Sequence, residues 1–403
     1  MPVAAATRCR FGNGHRVYGR WSPCHIDGVA RVLFTACPAY GHALPMLPLI
    51  RAAQRGGHDV RVATGPNLTG PLAARGLDAH AVGPSWETAW SAHEAVWADQ
   101  DLSDEQKMMD GVVALFGTPA LQRLDDLVAM ASEWRPDIVV HEVLEQAGSM
   151  LAHRLAIPGV VHGIGPMFPF YAPLISAAGA AIGEPQLWAQ LSTEQAVDLC
   201  PPSLQPDAPP PWPGAVAVRP SAGEGQPLPP DLADALASDR PVAYFTLGTV
   251  KNADTSDFMT GLRALAAYDG VVIATTGRRL DRDELGPIPA NAVVAEFVPQ
   301  APLLERADLL VSHSGSGTML GGLVHGVPQV ALPRGTDQPD SAALLVRAGA
   351  GMLVAPEDYA VEPIAAAVAA VTQDPAFRAA AERVRDEIAA MPEAGTVWAG
   401  LGF

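Results

Sequence analysis

Short apolar runs along the chain alternate with stretches in which apolar residues recur every third or fourth position, which predicts strands alternating with helices. Residues 31–36, Arg31-Val32-Leu33-Phe34-Thr35-Ala36, read as a buried strand. A turn from Cys37 to Pro45 follows, then a helix whose apolar face is Leu47, Leu49, Ile50 and Ala53 and which Gly56-Gly57 ends. Residues 58–64 are the next strand. This is a βαβ unit, hence a parallel sheet with right-handed crossovers. The pattern continues with a helix at 121–134, a strand at 136–142, a helix at 148–156 and a strand at 158–161. It restarts at 242–247, with further strands at 271–275, 293–297, 309–311 and 326–333 and helices at 258–268, 341–348 and 361–388.

Between the two series, residues 200–230 hold 11 of the 38 prolines, too many for a regular element, so the interdomain connection falls there. The fold class is α/β with two Rossmann-like parallel-sheet domains. The expected layout is a disordered tail at 1–28, a first domain at 29–218, a linker at 219–239, a second domain at 240–390 and a C-terminal segment at 391–403. Residues 1–28 mix Arg, Gly, Pro and His without periodicity, and Val29 is a candidate natural start. The pattern loosens from Trp86 to Phe116, where Trp86, Trp90 and Trp97 stand among acidic and small residues. That stretch reads as a long irregular insertion of the kind that lines a pocket. Phe168, Phe170, Tyr171 and Trp188 add aromatic surface.

Charge narrows the partners. Lys and Arg number 26 against 43 Asp and Glu, and a net charge of −17 argues against nucleic acid or an anionic membrane. Four scattered cysteines lack metal-type spacing or a disulfide framework. The uncharged stretch 155–183 is interrupted by Pro158, Pro166, Pro169 and Pro173, which excludes a spanning helix. A cytoplasmic location is expected, as monomer or homodimer.

The most informative stretch is Leu309-Leu310-Val311-Ser312-His313-Ser314-Gly315-Ser316-Gly317-Thr318, an apolar strand running into a glycine-rich turn and then a helix. Gly315 and Gly317 let backbone N–H groups approach a ligand, Thr318 adds a hydroxyl, and the helix dipole favours an anion, most simply a phosphate. His313 can donate to the same oxygens. Behind the next strand comes Gly335-Thr336-Asp337-Gln338, a carboxylate–amide pair suited to sugar hydroxyls.

From Phe297-Val298-Pro299-Gln300 through His313 to Gln338, the chain resembles the donor signature of family 1 nucleotide-sugar glycosyltransferases. These are the two-domain GT-B enzymes, especially the bacterial ones that glycosylate antibiotics. The resemblance implies two domains facing across a cleft, the acceptor in the first and the donor in the second. It assigns the donor diphosphate to His313, Gly315, Ser316, Gly317, Thr318 and Thr249, the nucleoside to Phe297, Val298 and Gln300, and the sugar to Asp337 and Gln338. Gly41-His42-Ala43-Leu44-Pro45 is similar to the family's acceptor-side motif, whose His is the general base. An imidazole near a helix N-terminus is expected to stay neutral and so accept a proton. Where the family places an Asp that orients this His, the chain has Glu142, with Glu145 as the rival. Trp86, Trp90, Phe116, Phe168, Phe170 and Tyr171 are the expected acceptor lining.

The implied reaction is inverting, metal-free transfer of a hexose from a nucleotide sugar, with no cofactor, to a hydroxyl of a hydrophobic aglycone. No GxGxxG follows the first strand, and GxxxxGK[ST] and GxSxG motifs are missing, which disfavours dehydrogenases, P-loop kinases and serine hydrolases. A nucleotide-sugar epimerase, an inactivating enzyme using UDP-glucose and a degenerate partner protein are the alternatives. Relatives that use UDP-sugars carry a Glu eight residues beyond the motif His for the ribose hydroxyls. Here that position is Gly321, so a dTDP-sugar is expected and extra room is left beside the nucleotide.

Overall fold

The computed structural model describes residues 28–237, 239–248, 255–277, 280 and 284–402. The expected tail, up to residue 27, and Thr249 lie outside the described residues.

The first sheet contains β1 (Arg31–Thr35), β2 (Asp59–Thr64), β3 (Ala79–Ala81), β4 (Ile138–Glu142), β5 (Gly159–His162), β6 (Gln195–Asp198) and β7 (Val216–Ala217). All pairs are parallel and the order is β3-β2-β1-β4-β5-β6-β7. The second sheet contains β8 (Val242–Thr246), β9 (Val271–Thr275), β10 (Ala292–Ala295), β11 (Leu309–Ser312), β12 (Gln329–Ala331) and β13 (Gly351–Leu353), parallel in the order β10-β9-β8-β11-β12-β13. The central strands β4, β8 and β11 are buried along their whole length, as expected where helices cover both faces of a parallel sheet. In each sheet the order reverses between two central strands, β1 and β4 in one and β8 and β11 in the other. Ligands of open α/β sheets bind beyond the carboxyl ends of strands at such reversals. His42 follows β1 and Glu142 ends β4; Gly248 follows β8 and His313 follows β11.

Three expectations change. The turn expected from Cys37 to Pro45 holds a helical turn, Tyr40–Ala43, which runs through a 3₁₀ turn, Leu44–Met46, into the helix Leu47–Arg55. The stretch expected to be irregular, 86–116, is helical: Trp86–Ala98, Asp104–Val112 and a π-turn at Val113–Gly117. Its signals are local. Ser85 caps Thr88 N–H, and Ser103 with Gln106 forms a reciprocal capping box. The linker expected at 219–239 contains the helix Pro230–Leu236, whose Leu232 and Leu236 are buried against Tyr244 and Ile273 of the second sheet.

The C-terminal segment does not stand alone. The helix Ala394–Gly400 crosses to the first domain, where the Trp398 ring lies 6.3 Å from Phe34 and 5.4 Å, edge-on, from His58. Just before it, Arg219 N–H donates to the Pro392 carbonyl at 2.8 Å. Among the described residues no helix is long and apolar enough to cross a membrane.

Candidate active site

The turn Tyr40–Ala43 presents His42 at the mouth of the first sheet, its side chain about one-sixth exposed. Its Nδ1 lies 3.0 Å from Oε1 of Glu142, which β4 delivers fully buried. Glu142 is held independently, because Leu144 N–H donates to Oε2 at 2.9 Å and Cys37 N–H to Oε1 at 3.4 Å. With Nδ1 committed to the carboxylate, Nε2 is the nitrogen left for an acceptor hydroxyl.

Glu145 does something else. It caps the helix Gln146–Leu155 through Ala147 and Gly148 N–H, at 3.1 and 2.9 Å, and accepts the Thr35 hydroxyl. It also pairs with Arg123 at 2.9 Å, an arginine completely buried on the helix Thr118–Trp134. Sequence reasoning passed over Arg123. The available signal was a charged residue inside the apolar stripe of Ala120, Leu124, Leu127 and Ala131.

The electrostatics correct one expectation. Burial alone would lower the His42 pKa, but the charge and hydrogen bond of Glu142, aided by Asp337, outweigh it and raise the net value above 6.5. The imidazole holds its proton more tightly than a free histidine, since the carboxylate outweighs burial and the charge of Arg123. Burial would push Glu142 up, but His42 and the Leu144 and Cys37 hydrogen bonds pull it down to about 2. His162, the register neighbour of Glu142 on β5, is brought by burial to about 4 and adds no positive charge near neutral pH.

Of the expected acceptor lining, Trp86 and Phe116 flank the imidazole, with ring centroids 5.8 and 6.2 Å from it. Phe116 is carried there by the π-turn, a distortion that often marks functional sites. Trp90 stacks on Trp86 at 5.9 Å and is largely buried. Phe168 and Phe170 stack on each other at 5.1 Å but open into a different space. That space is a groove of about 450 Å³ shared with Asp340, Leu344 and Arg347 of the second domain. Tyr171 is buried; burial first, and then the charges of Asp337 and Glu142, raise its phenol pKa far above normal.

On the donor side, Ser314 adopts φ +59° between His313 and the helix Ser316–Val324. Gly315 supplies no side-chain cap, so the first N–H groups of that helix are left for a ligand. The His313 ring is wedged between two glycines: a Cβ on Gly248 or Gly315 would come within 2.5 Å of its Nε2. Burial brings His313 down to about 4, so near neutral pH it meets an anion as a neutral donor. Ser316 Oγ donates to Asp337 Oδ2 at 3.1 Å, joining the loop expected to hold the diphosphate to the carboxylate expected to meet the sugar. Gln338 uses its Oε1 to accept Arg334 N–H at 2.8 Å. Thr318 lies on the first turn of the same helix.

Among the nucleoside candidates, Phe297 is two-fifths exposed and its ring lies 6.1 Å from Tyr40 of the first domain. Val298 turns its side chain into the core with Leu303 and Leu304, leaving its main chain for a ligand. Gln300 opens the helix Gln300–Arg306 and donates to the Tyr244 hydroxyl at 3.2 Å. The room expected at Gly321 is not there: a Cβ would meet Leu304 Cδ1 at 3.1 Å and Ala222 Cα at 3.7 Å.

A base beyond one parallel sheet and an anion cradle beyond another define a glycosyltransferase of the GT-B fold. The chain belongs to the erythromycin biosynthesis protein CIII-like family, whose N-terminal domain matches residues 51–213 and whose C-terminal domain matches residues 259–401. It is 30% identical to L-demethylnoviosyl transferase of Streptomyces niveus, over 92% of this chain and 97% of that protein. It is 28% identical to 4'-demethylrebeccamycin synthase of Lentzea aerocolonigenes, over 90% and 96%. The structure is similar to spinosyn rhamnosyltransferase SpnG, with a TM-score of 0.76 and 26% identity over 93% of this chain and 100% of that one. SpnG has also been solved with thymidine diphosphate and with spinosyn aglycone.

Proposed function

We propose that the chain moves a hexose, most simply a deoxyhexose, from a dTDP-sugar to a hydroxyl of a hydrophobic natural-product aglycone, with inversion and without a metal. One observation carries this reading: the His42–Glu142 pair lies close enough to the second domain for the charge of Asp337, which accepts the Ser316 hydroxyl of the uncapped helix, to act on His42. The acceptor lies against Trp86 and Phe116, and Nε2 of His42 takes its hydroxyl proton. The acceptor oxygen bonds to the anomeric carbon as the bond to the diphosphate oxygen breaks, and the electron pair leaves on the diphosphate. The helix N-terminus and the neutral His313 stabilise that charge as preorganised donors. Glu142 stabilises the imidazolium formed.

The thymidine nucleotide is supported by Gly321, which offers no carboxylate to a ribose 2′-hydroxyl, and by the similarity to a rhamnosyltransferase that binds thymidine diphosphate. A charge-assisted hydrogen bond is worth about 1.5–3 kcal/mol, roughly ten- to a hundredfold in nucleotide preference. Calorimetric titration of the free protein with dTDP and UDP tests this, with tighter dTDP expected; equal affinities or tighter UDP would refute it. Because Leu304 and Ala222 fill the space beside Gly321, the wild-type comparison is cleaner than a Gly321→Glu variant. Transfer to a panel of aglycones, followed by mass shift, identifies the acceptor.

A further inference from the structure

The base of the acceptor site carries a neighbour whose side chain the transfer reaction does not use. Cys37 follows β1 and is buried, and its backbone N–H donates at 3.4 Å to the same Glu142 carboxylate that holds His42. One ligand atom each from Cys37, His42 and Glu142 lies within 4.8 Å of the other two. On His42 the atom already turned toward this space is Nδ1, 3.0 Å from Glu142. A soft thiolate, an imidazole and a carboxylate converging on one point are the donor types that bind Zn²⁺, which accepts three protein ligands and keeps a fourth position open. The local charge suits a dication. Glu142 and Glu145 bring two negative charges and Arg123 one positive, and Arg123 is already paired with Glu145 at 2.9 Å. Burial and the two carboxylates hold the Cys37 thiol protonated well above the usual thiol range, so a cation must displace that proton, and the three charges around it sum to one net negative.

We propose that Cys37, His42 and Glu142 form an inhibitory site for a soft divalent cation such as Zn²⁺, whose occupancy switches off the base. The cation displaces the hydrogen bond between His42 and Glu142 and takes the Nδ1 lone pair, and the Cys37 thiol proton is released to solvent. The single ring proton of the neutral imidazole then sits on Nε2. That nitrogen becomes a donor where the acceptor hydroxyl needs a base, so transfer stops although the aglycone pocket at Trp86 and Phe116 stays open. The loss of transfer rests on the function proposed above; the binding does not.

The test uses the full chain and Co²⁺ as a spectroscopic stand-in for Zn²⁺. Titration is expected to give a thiolate-to-cobalt charge-transfer band at one equivalent, which Zn²⁺ then bleaches. Cys37→Ser leaves the backbone N–H bond to Glu142 in place but removes the soft ligand. It is expected to retain sugar transfer within about twofold while weakening cobalt binding by more than about 100-fold, beyond the 10–100-fold cost of losing an outer-shell partner. In the wild-type protein Zn²⁺ is expected to abolish transfer without raising the acceptor KM, and chelator to restore it. A band that persists in Cys37→Ser would assign the metal to another thiol and overturn the site, as would the lack of any band in wild type. Binding with undiminished transfer would overturn the switch. A chain that gives the Cys37-dependent band yet transfers no sugar would instead refute the function proposed above.

Discussion

Tyr40 and Phe297 come from opposite domains, yet their rings lie 6.1 Å apart, tilted by 34°, beside the cleft that holds the candidate base. Nearby, Gly165 of the first domain is pressed so closely on Ser316 of the donor loop that a Cβ at 165 would overlap the Ser316 side chain. The two half-sites are thus set against each other by direct contact, as a reaction that must exclude water requires. Gly165→Ala is expected to cost about 1–3 kcal/mol in the closed form, the usual range for overpacking. Steady-state kinetics are expected to show a lower kcat together with a higher donor KM. Unchanged kinetics would mean that this contact does not form during turnover.

His42→Ala is expected to lower turnover by a factor of about 10² to 10⁴, the range for a positioned general base. The affinity for donor nucleotide should be unaltered, because the proposed nucleotide site lies in the other domain. Glu142→Ala is expected to lose less than His42→Ala. Near wild-type turnover in the His42 variant would exclude it as the base.

Glu145→Ala is expected to behave differently, because it strands the buried Arg123 charge instead of freeing the imidazole. Breaking a buried pair in this way costs about 3–5 kcal/mol. Denaturant unfolding is expected to show that loss, and a variant as stable as wild type would show that Arg123 finds another partner.

The pH dependence has a definite sign. Glu142 and Asp337 raise the His42 pKa against burial and the opposing charge of Arg123, and the base works only when unprotonated. kcat/KM is therefore expected to fall on the acid side through a pKa above 6.5, and Glu142→Gln should move that limb to lower pH while reducing the plateau. Stability follows the same linkage. The His42 contribution is present below its unfolded value and lost as pH rises through the raised one. The Glu142 contribution is present above 4.5 and lost as pH falls toward about 2. An acid limb that stays fixed in Glu142→Gln would separate the measured pKa from this pair.

Trp398 fastens the C-terminal helix to the first domain through Phe34 and His58. Trp398→Ala is expected to cost about 3–5 kcal/mol, read as a lower unfolding midpoint. A change below about 1 kcal/mol would show that the crossing helix adds little to that domain.

Removing metal is expected to leave transfer intact, because the donors proposed for the diphosphate are backbone N–H groups and His313. Assay in excess chelator checks this. Activity abolished by chelator and restored by magnesium would overturn it.

Much of this protein was legible in local sequence. The βαβ alternation, the glycine-rich loop after β11 and the carboxylate end of β4 show in the chain because strand and helix periods and turn chemistry act over a few residues. The capping box at Ser103 and Gln106 was equally local, and only the scattered tryptophans around it made the segment look irregular. What tertiary structure alone decided was which groups meet. Glu142 and Glu145 leave the same strand three residues apart, and no local pattern says which one reaches His42, a hundred positions earlier. The answer comes from Arg123, whose buried guanidinium needs a counter-ion and claims Glu145, leaving Glu142 for the imidazole. The raised His42 pKa, the filled space beside Gly321 and the placing of Cys37 next to the base follow in the same way, because electrostatics and packing depend on distance in space, which the order of residues along the chain does not record.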